Sequence, residues 1–328
     1  MNSNPISVVI PAYNCEKTIS QTIQAVLNQT YKNIRVIVVD DGSTDQTART
    51  IRSFSDVRYV YQKNAGPASA RNRGAKEAAT EIVFFTDSDC IPQKDWIEKS
   101  LVHFQDPEIA VVAGSYGIAN PESILARCIH KEILFRHRTR MPQYPKAFGS
   151  YNFGVRKKVF DLVGGFNERY RFASGEDNDL SYKIIKAGQK IYFEKNSFVD
   201  HYHPTSVGKY LKEQFRHGFW RVKMYFDHPS MMKGDDYTFW KDAAEVPLSA
   251  GILIALISEV FGFIKIHLFL WLLVPFLVLE FYYAALISQE IKEKIYMFVT
   301  MALRAFSRMS GFLYGFIYQI INIIKKDN

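Results

Sequence analysis

The sequence predicts an α/β domain followed by an apolar helical tail, and three observations support this fold class. Short Val- and Ile-rich runs alternate with helical patterns over about the first ninety residues, which is typical of a parallel sheet covered on both faces. Polar clusters follow three of these runs, at the ends of strands where such sheets bind ligands. From Pro247 to Ile324 the composition changes, and Leu, Ile, Phe, Val and Tyr dominate.

The predicted strands and helices of the N-terminal part alternate along the chain. The strands are Ile6 to Pro11, Ile34 to Asp40, Val57 to Gln62 and Ile82 to Asp87, and the helices are Cys15 to Gln29, Asp45 to Ser53 and Ser69 to Ala79. Because parallel strands end at one edge of a sheet, the polar clusters at 11–14, 40–45 and 86–89 are expected to meet along one rim. Ionised carboxylates resist burial without partners, so a purely structural core does not explain them.

A second group of acids begins a helix predicted from about Asp177 to Ala187. Its first turn contains Glu176, Asp177 and Asp179. Negative charge is favourable at the positive end of a helix dipole, so these acids could simply stabilise the helix start.

The apolar tail contains three stretches. Leu248 to Ile264 would extend roughly 25 Å as a helix and Ile266 to Ile287 roughly 33 Å, and the hydrocarbon core of a bilayer is about 30 Å thick. These two stretches predict a membrane hairpin, in which Glu259 is expected to pack against a neighbouring helix. The third stretch, Ile295 to Ile324, predicts an interfacial or re-entrant helix or a third span, because one face is polar or small. That face contains Arg304, Arg308, Gly311, Gly315, Tyr318 and Asn322.

The net charge of +8 is compatible with nucleic acid, anionic lipid or phosphorylated ligands. Basic clusters at 136–140, 209–223 and 325–326 lie close to the apolar tail in sequence or follow it, which favours a lipid surface over nucleic acid. Cys15, Cys90 and Cys128 are too few and too scattered for a disulfide framework and indicate a reducing compartment. The N-terminal apolar run is typical of a strand, so we expect no cleaved signal peptide.

Asp87-Ser88-Asp89 follows a predicted strand and offers oxygen ligands to a divalent cation. Mg²⁺ or Mn²⁺ suits such ligands and would keep positions open for phosphate oxygens. Taken alone, the triplet is more typical of an ordinary turn.

Five segments, in this order, resemble the family 2 glycosyltransferases, whose nucleotide-binding GT-A fold is a doubly wound mixed sheet. They are VVIPAYN (8–14), VVDDGSTD (38–45), NAGPASARN (64–72), FTDSD (85–89) and GGF (164–166) followed by GEDNDL (175–180). The resemblance covers residues 5 to 225 approximately. With the tail, it predicts a transferase domain over 1–225, an interfacial linker over 226–247, a transmembrane hairpin over 248–287 and an amphipathic or membrane-embedded helix over 288–328.

The resemblance implies that several residues contact the nucleotide sugar donor. The backbone of Pro11, Ala12 and Tyr13 would line the base pocket. Asp41 would bond the base edge, Arg71 would face the nucleotide, and Asp87 with its neighbour Ser88 would contact the ribose or sugar. A structural alternative stays open for Asp41, which could form a turn, and for Arg71, which could pair with a surface acid.

The resemblance also implies which residues perform the transfer. Asp89 would bind the metal, which neutralises the charge of the leaving diphosphate. Asp177 would be the catalytic base, because an acceptor hydroxyl must lose its proton as it attacks the anomeric carbon. A single displacement inverts the anomeric configuration. His201 and His203 would face one side of a strand, and either could complete the metal shell, although a surface or core role is as common for each.

Gln214-Phe215-Arg216-His217-Gly218-Phe219-Trp220 resembles the Gln-x-x-Arg-Trp motif of processive synthases, but its Arg and Trp are out of register. We therefore expect an inverting enzyme that adds one sugar to a hydroxyl of a lipid-linked or cell-envelope glycan. Its partners would be a nucleotide-diphosphate sugar and membrane lipids, and we expect no nucleic acid partner. The catalytic domain would face the cytoplasm.

Four alternative functions stay open. They are a polyisoprenyl-phosphate glycosyltransferase, a processive polysaccharide synthase, a nucleotidyltransferase and a non-enzymatic membrane scaffold with a degenerate transferase domain.

Overall fold

The computed structural model describes residues 4–171, 174–233, 236, 240–263 and 267–327. Two compact units are present. The first contains Met1–Asn120 and Arg136–Tyr202, and the second contains Pro121–Phe135 and His203–Asn328. The domain boundaries drawn from the sequence stay a prediction. Residues 234, 235 and 237–239 of the predicted linker and 264–266 near the predicted hairpin turn lie outside the described residues.

Within its described residues, the first unit is built on a sheet of eight strands. These are β1 (Ile6–Ala12), β2 (Ile34–Asp40), β3 (Val57–Tyr61), β4 (Ile82–Phe85), β5 (Cys90–Pro92), β6 (Ile109–Ile118), β7 (Phe153–Arg156) and β8 (Lys190–His201). The helices along the same part of the chain are α1 (Ile19–Leu27), α2 (Thr47–Arg52), α3 (Pro67–Glu77), α4 (Trp96–Leu101), α5 (Ile124–Thr139), α6 (Lys157–Leu162) and α7 (Glu176–Lys186). Short 3₁₀ turns occur at Val102–Gln105 and Ser150–Asn152, and α5 contributes residues to both units.

The strand order across the sheet is β3-β2-β1-β4-β7-β6-β8-β5. Strands β1 to β4 are parallel, as the alternating pattern predicts. Strand β7 runs antiparallel to both β4 and β6, and β5 runs antiparallel to β8, whereas β6 and β8 are parallel. The doubly wound mixed sheet is therefore confirmed.

Close packing of α3 on the sheet fixes the rim where the parallel strands end. A Cβ atom at Gly74 would lie 2.3 Å from Cγ1 of Val9, so only glycine allows α3 to approach β1 this closely. The Asp41 amide donates to the Ala12 carbonyl at 2.8 Å, and the Thr86 amide donates to the Val9 carbonyl at 3.3 Å. The segments that follow β1, β2 and β4 are thus held side by side, as predicted from their strand ends.

The second unit is helical. It contains the first part of α5, a 3₁₀ turn at Pro229–Lys233, and α8 (Val207–Asp227), α9 (Trp240–Val260), α10 (Leu268–Ile287) and α11 (Ile291–Asp327). Helices α9 and α10 are long and apolar enough to cross a membrane, by length and composition. Helix α9 begins inside the segment predicted as a linker, and Glu259 near its end contacts Nδ1 of His267, the residue before α10, at 2.5 Å.

Glycines on α11 form the contact surface for α8. A Cβ atom at Gly311 would lie 2.0 Å from the Phe215 carbonyl oxygen, and one at Gly315 would lie 2.6 Å from that of Phe219. On the α8 side of the same contact, a Cβ atom at Gly218 would lie 2.1 Å from the Arg308 carbonyl oxygen of α11. The small residues predicted as a stripe on α11 therefore allow two helix backbones to touch, as Gly-x-x-x-Gly spacings do in helix pairs.

Charged side chains inside the second unit are paired with one another. Arg304, which is 1% exposed, donates to both carboxylate oxygens of Glu132 at 2.6 Å and to Glu245 at 3.1 Å. Lys241 donates to Glu280 of α10 at 2.7 and 2.9 Å and also bonds Glu245. Each buried charge thus has an opposite charge within hydrogen-bonding distance, which a low-dielectric interior requires.

The α8–α11 contact gives a testable prediction about stability. Gly311→Ala places a methyl group against the Phe215 carbonyl, and overpacking of this kind typically costs about 1–3 kcal/mol, more than the gain of about 1 kcal/mol for Ala over Gly in a helix. Thermal unfolding of the purified protein in detergent should therefore begin at a lower temperature.

Gly251→Ala is the matched control, because a Cβ at Gly251 on α9 would be 3.6 Å from the Leu272 side chain, an ordinary contact. This variant should be as stable as the parent or more stable. Equal unfolding temperatures for the Gly311 and Gly251 variants would contradict the close helix contact.

Candidate active site

The guanidinium of Arg71 on α3 is the centre of a charged cluster in the first unit. Arg71 is 3% exposed, and its Nη2 donates to Oδ1 of Asp87 at 2.7 Å while its Nη1 donates to Oε1 of Glu176 at 3.0 Å. Oδ1 of Asp177 lies 4.0 Å from Nη1. The guanidinium carbon also lies 5.4 Å from the centre of the Phe166 ring. One cation thus joins the segment after β4 to the start of α7.

The charges in this cluster act on one another. Burial alone would lower the pKa of Arg71, but the carboxylates of Asp87, Asp177 and Glu176 raise that pKa above its ordinary value and keep the side chain charged. Burial and the neighbouring Asp177 raise the pKa of Glu176. Burial likewise raises the pKa of Asp177, with Asp87 adding to the effect and Arg71 opposing it. A raised pKa makes a carboxylate a better proton acceptor.

The three acids of the first turn of α7 occupy different environments. Gly175 before the helix has φ +95°, a backbone conformation that favours glycine. Glu176 is buried and accepts from Arg71 with one oxygen and from the Ser174 amide at 2.7 Å with the other. Asp179 is also buried and pairs with Lys183 at 3.2 Å. Asp177 differs from both, because 26% of its side chain is exposed. Of the three acids it has the most exposed side chain, although its Oδ1 atom is itself buried.

A second group of potential ligands lies where β5 pairs with β8. Cys90 is the register partner of His201 in this antiparallel pair, and Nε2 of His201 lies 3.5 Å from Oδ1 of Asp89. Ligand atoms of Asp89, Cys90 and His201 are all within 4.8 Å of one another. Burial, reinforced by the nearby carboxylates of Asp89 and Asp87, raises the pKa of the Cys90 thiol well above its ordinary value.

The two predicted histidines lie in different units. His201, the last residue of β8, is close to Asp89 in the first unit. His203 belongs to the second unit, where its buried ring lies 5.8 Å from the ring of His130. Within the first unit, His201 is thus the predicted metal ligand that lies beside Asp89.

The residues predicted to line the base pocket lie at the end of β1. Pro11 and Ala12 are buried in the strand, whereas Tyr13 beyond it is 51% exposed. Asn14 has φ +47°, and its side-chain oxygen accepts from the Thr44 amide at 2.8 Å. The loops after β1 and β2 are therefore tied together.

Asp41 and Ser88 make internal contacts at the same rim. The Asp41 carboxylate is 3% exposed and accepts from the amides of Ala65 and Gly66, each at 2.9 Å, and from Nε2 of Gln62 at 2.7 Å. The backbone oxygen of Ser88 accepts from the Thr22 hydroxyl at 3.0 Å. Asp41 thus shapes the loop that leads into α3. The structural alternative predicted for Asp41 from the sequence is only a simple turn.

Sequence reasoning missed two members of these clusters. Glu176 was treated as a helix-start acid, although its position beside Asp177 in a Glu-Asp pair was a usable signal. Cys90 directly follows Asp87-Ser88-Asp89, and this position is the sequence signal for it, because the wide spacing of the three cysteines does not indicate a metal site.

The comparison with known families begins in the N-terminal half of the chain. The profile described as "Glycosyl transferase family 2" matches residues 7–164. The Pre-mycofactocin glycosyltransferases of two Mycobacterium tuberculosis strains are each 30% identical, over 68% of this chain and 48% of theirs. This chain therefore spans about half of the length of these relatives. A protein from Escherichia coli, UDP-Glc:alpha-D-GlcNAc-diphosphoundecaprenol beta-1,3-glucosyltransferase WfaP, is 28% identical over 64% of this chain and 81% of its own.

Solved structures show a similar fold. Mannosyltransferase PcManGT from Pyrobaculum calidifontis, in complex with GDP-Man and Mn²⁺, has a TM-score of 0.61 and 18% identity and covers 94% of this chain and 87% of its own. GalNAc-T7 with UDP, GalNAc and Mn²⁺ has a TM-score of 0.50 and 16% identity and covers 70% and 55% of the two chains. The GT-A fold expected from the sequence is confirmed.

The contacts of Asp41 predict that its substitution weakens the ligand-free protein. Asp41→Asn replaces one acceptor oxygen by an amide that faces N–H donors, and a buried donor without its acceptor typically costs about 1–3 kcal/mol. Chemical or thermal unfolding without nucleotide should show this loss.

Asp56→Asn, at an exposed turn, is the control and should leave stability unchanged. If Asp41 served only to bond a base, both variants would unfold like the parent in the absence of nucleotide. That result would contradict the loop-shaping role.

Proposed function

Because the chain belongs to glycosyltransferase family 2, we propose that it transfers a single sugar from a nucleotide-diphosphate donor to an acceptor hydroxyl, with inversion at the anomeric carbon. The observation that carries this proposal is the cluster in which Arg71 holds Asp87 and Glu176 and leaves Asp177 partly exposed. Acids with unequal environments around one cation are suited to different tasks in one reaction.

Asp177 is assigned as the base. Its carboxylate takes the proton of the acceptor hydroxyl while the acceptor oxygen forms a bond to the anomeric carbon. The bond from that carbon to the diphosphate oxygen breaks, and its electron pair leaves with the nucleotide diphosphate. Arg71 keeps Asp177 oriented. Its positive charge also offsets the repulsion between the carboxylates of Asp177 and Asp87, which would otherwise push them apart.

Asp87, Ser88, Asp41 and the 11–13 backbone are assigned to the donor. Asp87 is 30% exposed next to Arg71, so one side of its carboxylate faces outward. Tyr13 is half-exposed at the end of β1 and offers a ring surface for a nucleotide base.

A divalent cation, Mg²⁺ or Mn²⁺, is assigned to Asp89 and His201. The Asp89 carboxylate supplies the oxygen ligand that Mg²⁺ and Mn²⁺ prefer, and Nε2 of His201, 3.5 Å from that oxygen, is placed to be a second ligand. When bound, the ion neutralises the charge of the leaving diphosphate. Support comes from two solved proteins of the same fold, which contain Mn²⁺.

The acceptor is proposed to be the hydroxyl of a lipid-linked glycan. One relative is named as a glucosyltransferase that acts on a diphosphoundecaprenol-linked sugar, and α9 and α10 are apolar enough to enter a membrane. A processive synthase is less well supported, because the Gln-x-x-Arg-Trp motif is out of register around Gly218, which packs against α11.

A transfer assay tests the catalytic assignment. Membranes that contain the protein are supplied with a panel of labelled nucleotide sugars and a lipid extract, and we expect one donor to label a lipid-linked product. Asp177→Asn should lower turnover by a factor of about 10² to 10⁴, because an amide cannot accept the proton, while nucleotide binding persists.

Asp179→Asn is the matched control in the same helical turn. It removes the same charge from the helix start, so an effect on the helix dipole would appear equally in both variants. Near-normal turnover of Asp177→Asn would refute its assignment as base, and label recovered in long polymer would refute the transfer of a single sugar.

We also propose that α9 and α10 form a membrane hairpin and that the first unit faces the cytoplasm, where nucleotide sugars are made. Lys292 and Lys294 follow α10, and basic residues near the ends of spans favour the cytoplasmic side. Protease added to sealed right-side-out cells should leave the first unit intact and should digest it after the membrane is permeabilised. Digestion in sealed cells would contradict this orientation.

A further inference from the structure

The cluster of Asp89, Cys90 and His201, here called the Cys90 cluster, contains a ligand that a hard cation does not use. The Sγ atom of Cys90 lies 4.0 Å from Oδ1 of Asp89, and Nε2 of His201 lies 3.5 Å from the same oxygen. All three ligand atoms are within 4.8 Å of one another. Because Cys90 and His201 are register partners in an antiparallel pair, their side chains lie on the same face of the sheet.

These distances suit a small tetrahedral ion. Zinc binds sulfur at about 2.3 Å and nitrogen or carboxylate oxygen at about 2.0–2.2 Å, so tetrahedral ligands of one ion lie roughly 3.3–3.6 Å apart. The oxygen and nitrogen already have this separation, the sulfur is slightly farther from the oxygen at 4.0 Å, and the sulfur lies within 4.8 Å of the imidazole nitrogen, so the Cys90 side chain must move inward to complete the set. A thiolate ligand selects soft or borderline cations, whereas Mg²⁺ and Mn²⁺ prefer oxygen.

We propose that Asp89, Cys90 and His201 together bind a thiophilic divalent cation such as Zn²⁺ or Cd²⁺, and that this cation competes with the hard cation of the donor site. On binding, the Cys90 sulfur forms a bond to the metal and its proton is released to solvent. The competition rests on the proposed function, whereas the binding itself does not.

The two classes of ion would affect the donor differently. A four-coordinate ion held by three side chains keeps one open position. A six-coordinate ion held by Asp89 and His201 keeps more positions for diphosphate oxygens. Zinc or cadmium in the Cys90 cluster therefore leaves fewer positions for diphosphate oxygens and weakens donor binding, so the cluster makes the enzyme sensitive to thiophilic metals.

Cobalt is a suitable probe for the binding step, because Co²⁺ occupies zinc-type sites and a thiolate bound to it absorbs strongly in the near ultraviolet. Titration of the purified full-length protein with Co²⁺ should produce this band, and Cd²⁺ should abolish it by displacement. Cys90→Ser should lose the band. Cys128→Ser is the control and should retain it, because Cys128 lies in the second unit beside the Glu293 carbonyl.

Three outcomes would overturn the proposal: no band in the parent protein, a band that survives in folded Cys90→Ser, or a band that is lost in Cys15→Ser instead. If Cys90→Ser does not fold, His201→Gln serves as the second variant. This variant should keep the thiolate band but should require at least about tenfold more Co²⁺ to produce it. A metal site that loses a supporting side chain typically loses about that much affinity for the metal. If His201→Gln produces the band at the same Co²⁺ concentration as the parent protein, His201 is excluded as a ligand of the metal.

A nucleotide-binding measurement tests the competition separately. Added Cd²⁺ should weaken Mn²⁺-dependent nucleotide binding by the parent protein and should have at least about tenfold less effect on Cys90→Ser. Equal inhibition of both proteins would refute the competition. A cobalt band in a protein that turns over no donor would uphold the metal site and refute the proposed function.

Discussion

The ion pairs of the buried Arg71 guanidinium are the interaction on which the site depends. They bring together acids from two distant parts of the first unit, Asp87 after β4 and Glu176 at the start of α7. Without this cation the carboxylates would repel one another in a partly dry environment. Loss of one partner of a buried ion pair typically costs about 3–5 kcal/mol, because the remaining charge is uncompensated. The Arg71 ion pairs thus stabilise the start of α7 beside the segment that follows β4.

The same arrangement gives neighbouring acids different surroundings, which is the basis of the roles proposed for them. Glu176 uses both carboxylate oxygens in internal hydrogen bonds and acts as an anchor for the start of α7. Asp177, one residue further, keeps an exposed fraction and a raised pKa, as a proton acceptor needs. Asp89 lies on the other side of the Asp-Ser-Asp triplet, where its partner is an imidazole rather than a guanidinium. The proposed division among donor contact, base and metal ligand therefore follows the burial of each acid and its nearest cation.

Much of this could be predicted from the sequence, because local patterns determine it. The buried Val/Ile runs of β1 and β2 and the acids at their ends give the parallel half of the sheet and the position of the rim. The antiparallel strand β7 has four residues and no distinctive pattern, so the mixed sheet was inferred only from family resemblance. The position of His201 beside Asp89 depends on the β5–β8 register, which no spacing of residues along the chain reveals.

The helical unit shows the same limit. Helix α9 begins at Trp240 although Lys241 and Glu245 are charged, because both are buried in ion pairs with residues of other helices. Hydropathy along the chain does not detect such long-range partners, so the apolar stretch from Leu248 indicates only the part of α9 that is predicted to enter a membrane. Gly311 and Gly315 were recognised as small, but their contact with α8 depends on how two helices pack.

The central claim is that the rim around Arg71 and Asp89 binds a nucleotide diphosphate through a metal ion. Calorimetric titration of the purified protein with UDP and GDP, in the presence of Mn²⁺ and then of a chelator, tests it most directly. We predict that one nucleotide binds with Mn²⁺, that the chelator weakens this binding by at least about tenfold, and that Asp89→Ala removes the difference. Equal nucleotide affinity with and without metal in the parent protein, or an unchanged metal dependence in Asp89→Ala, would contradict the account.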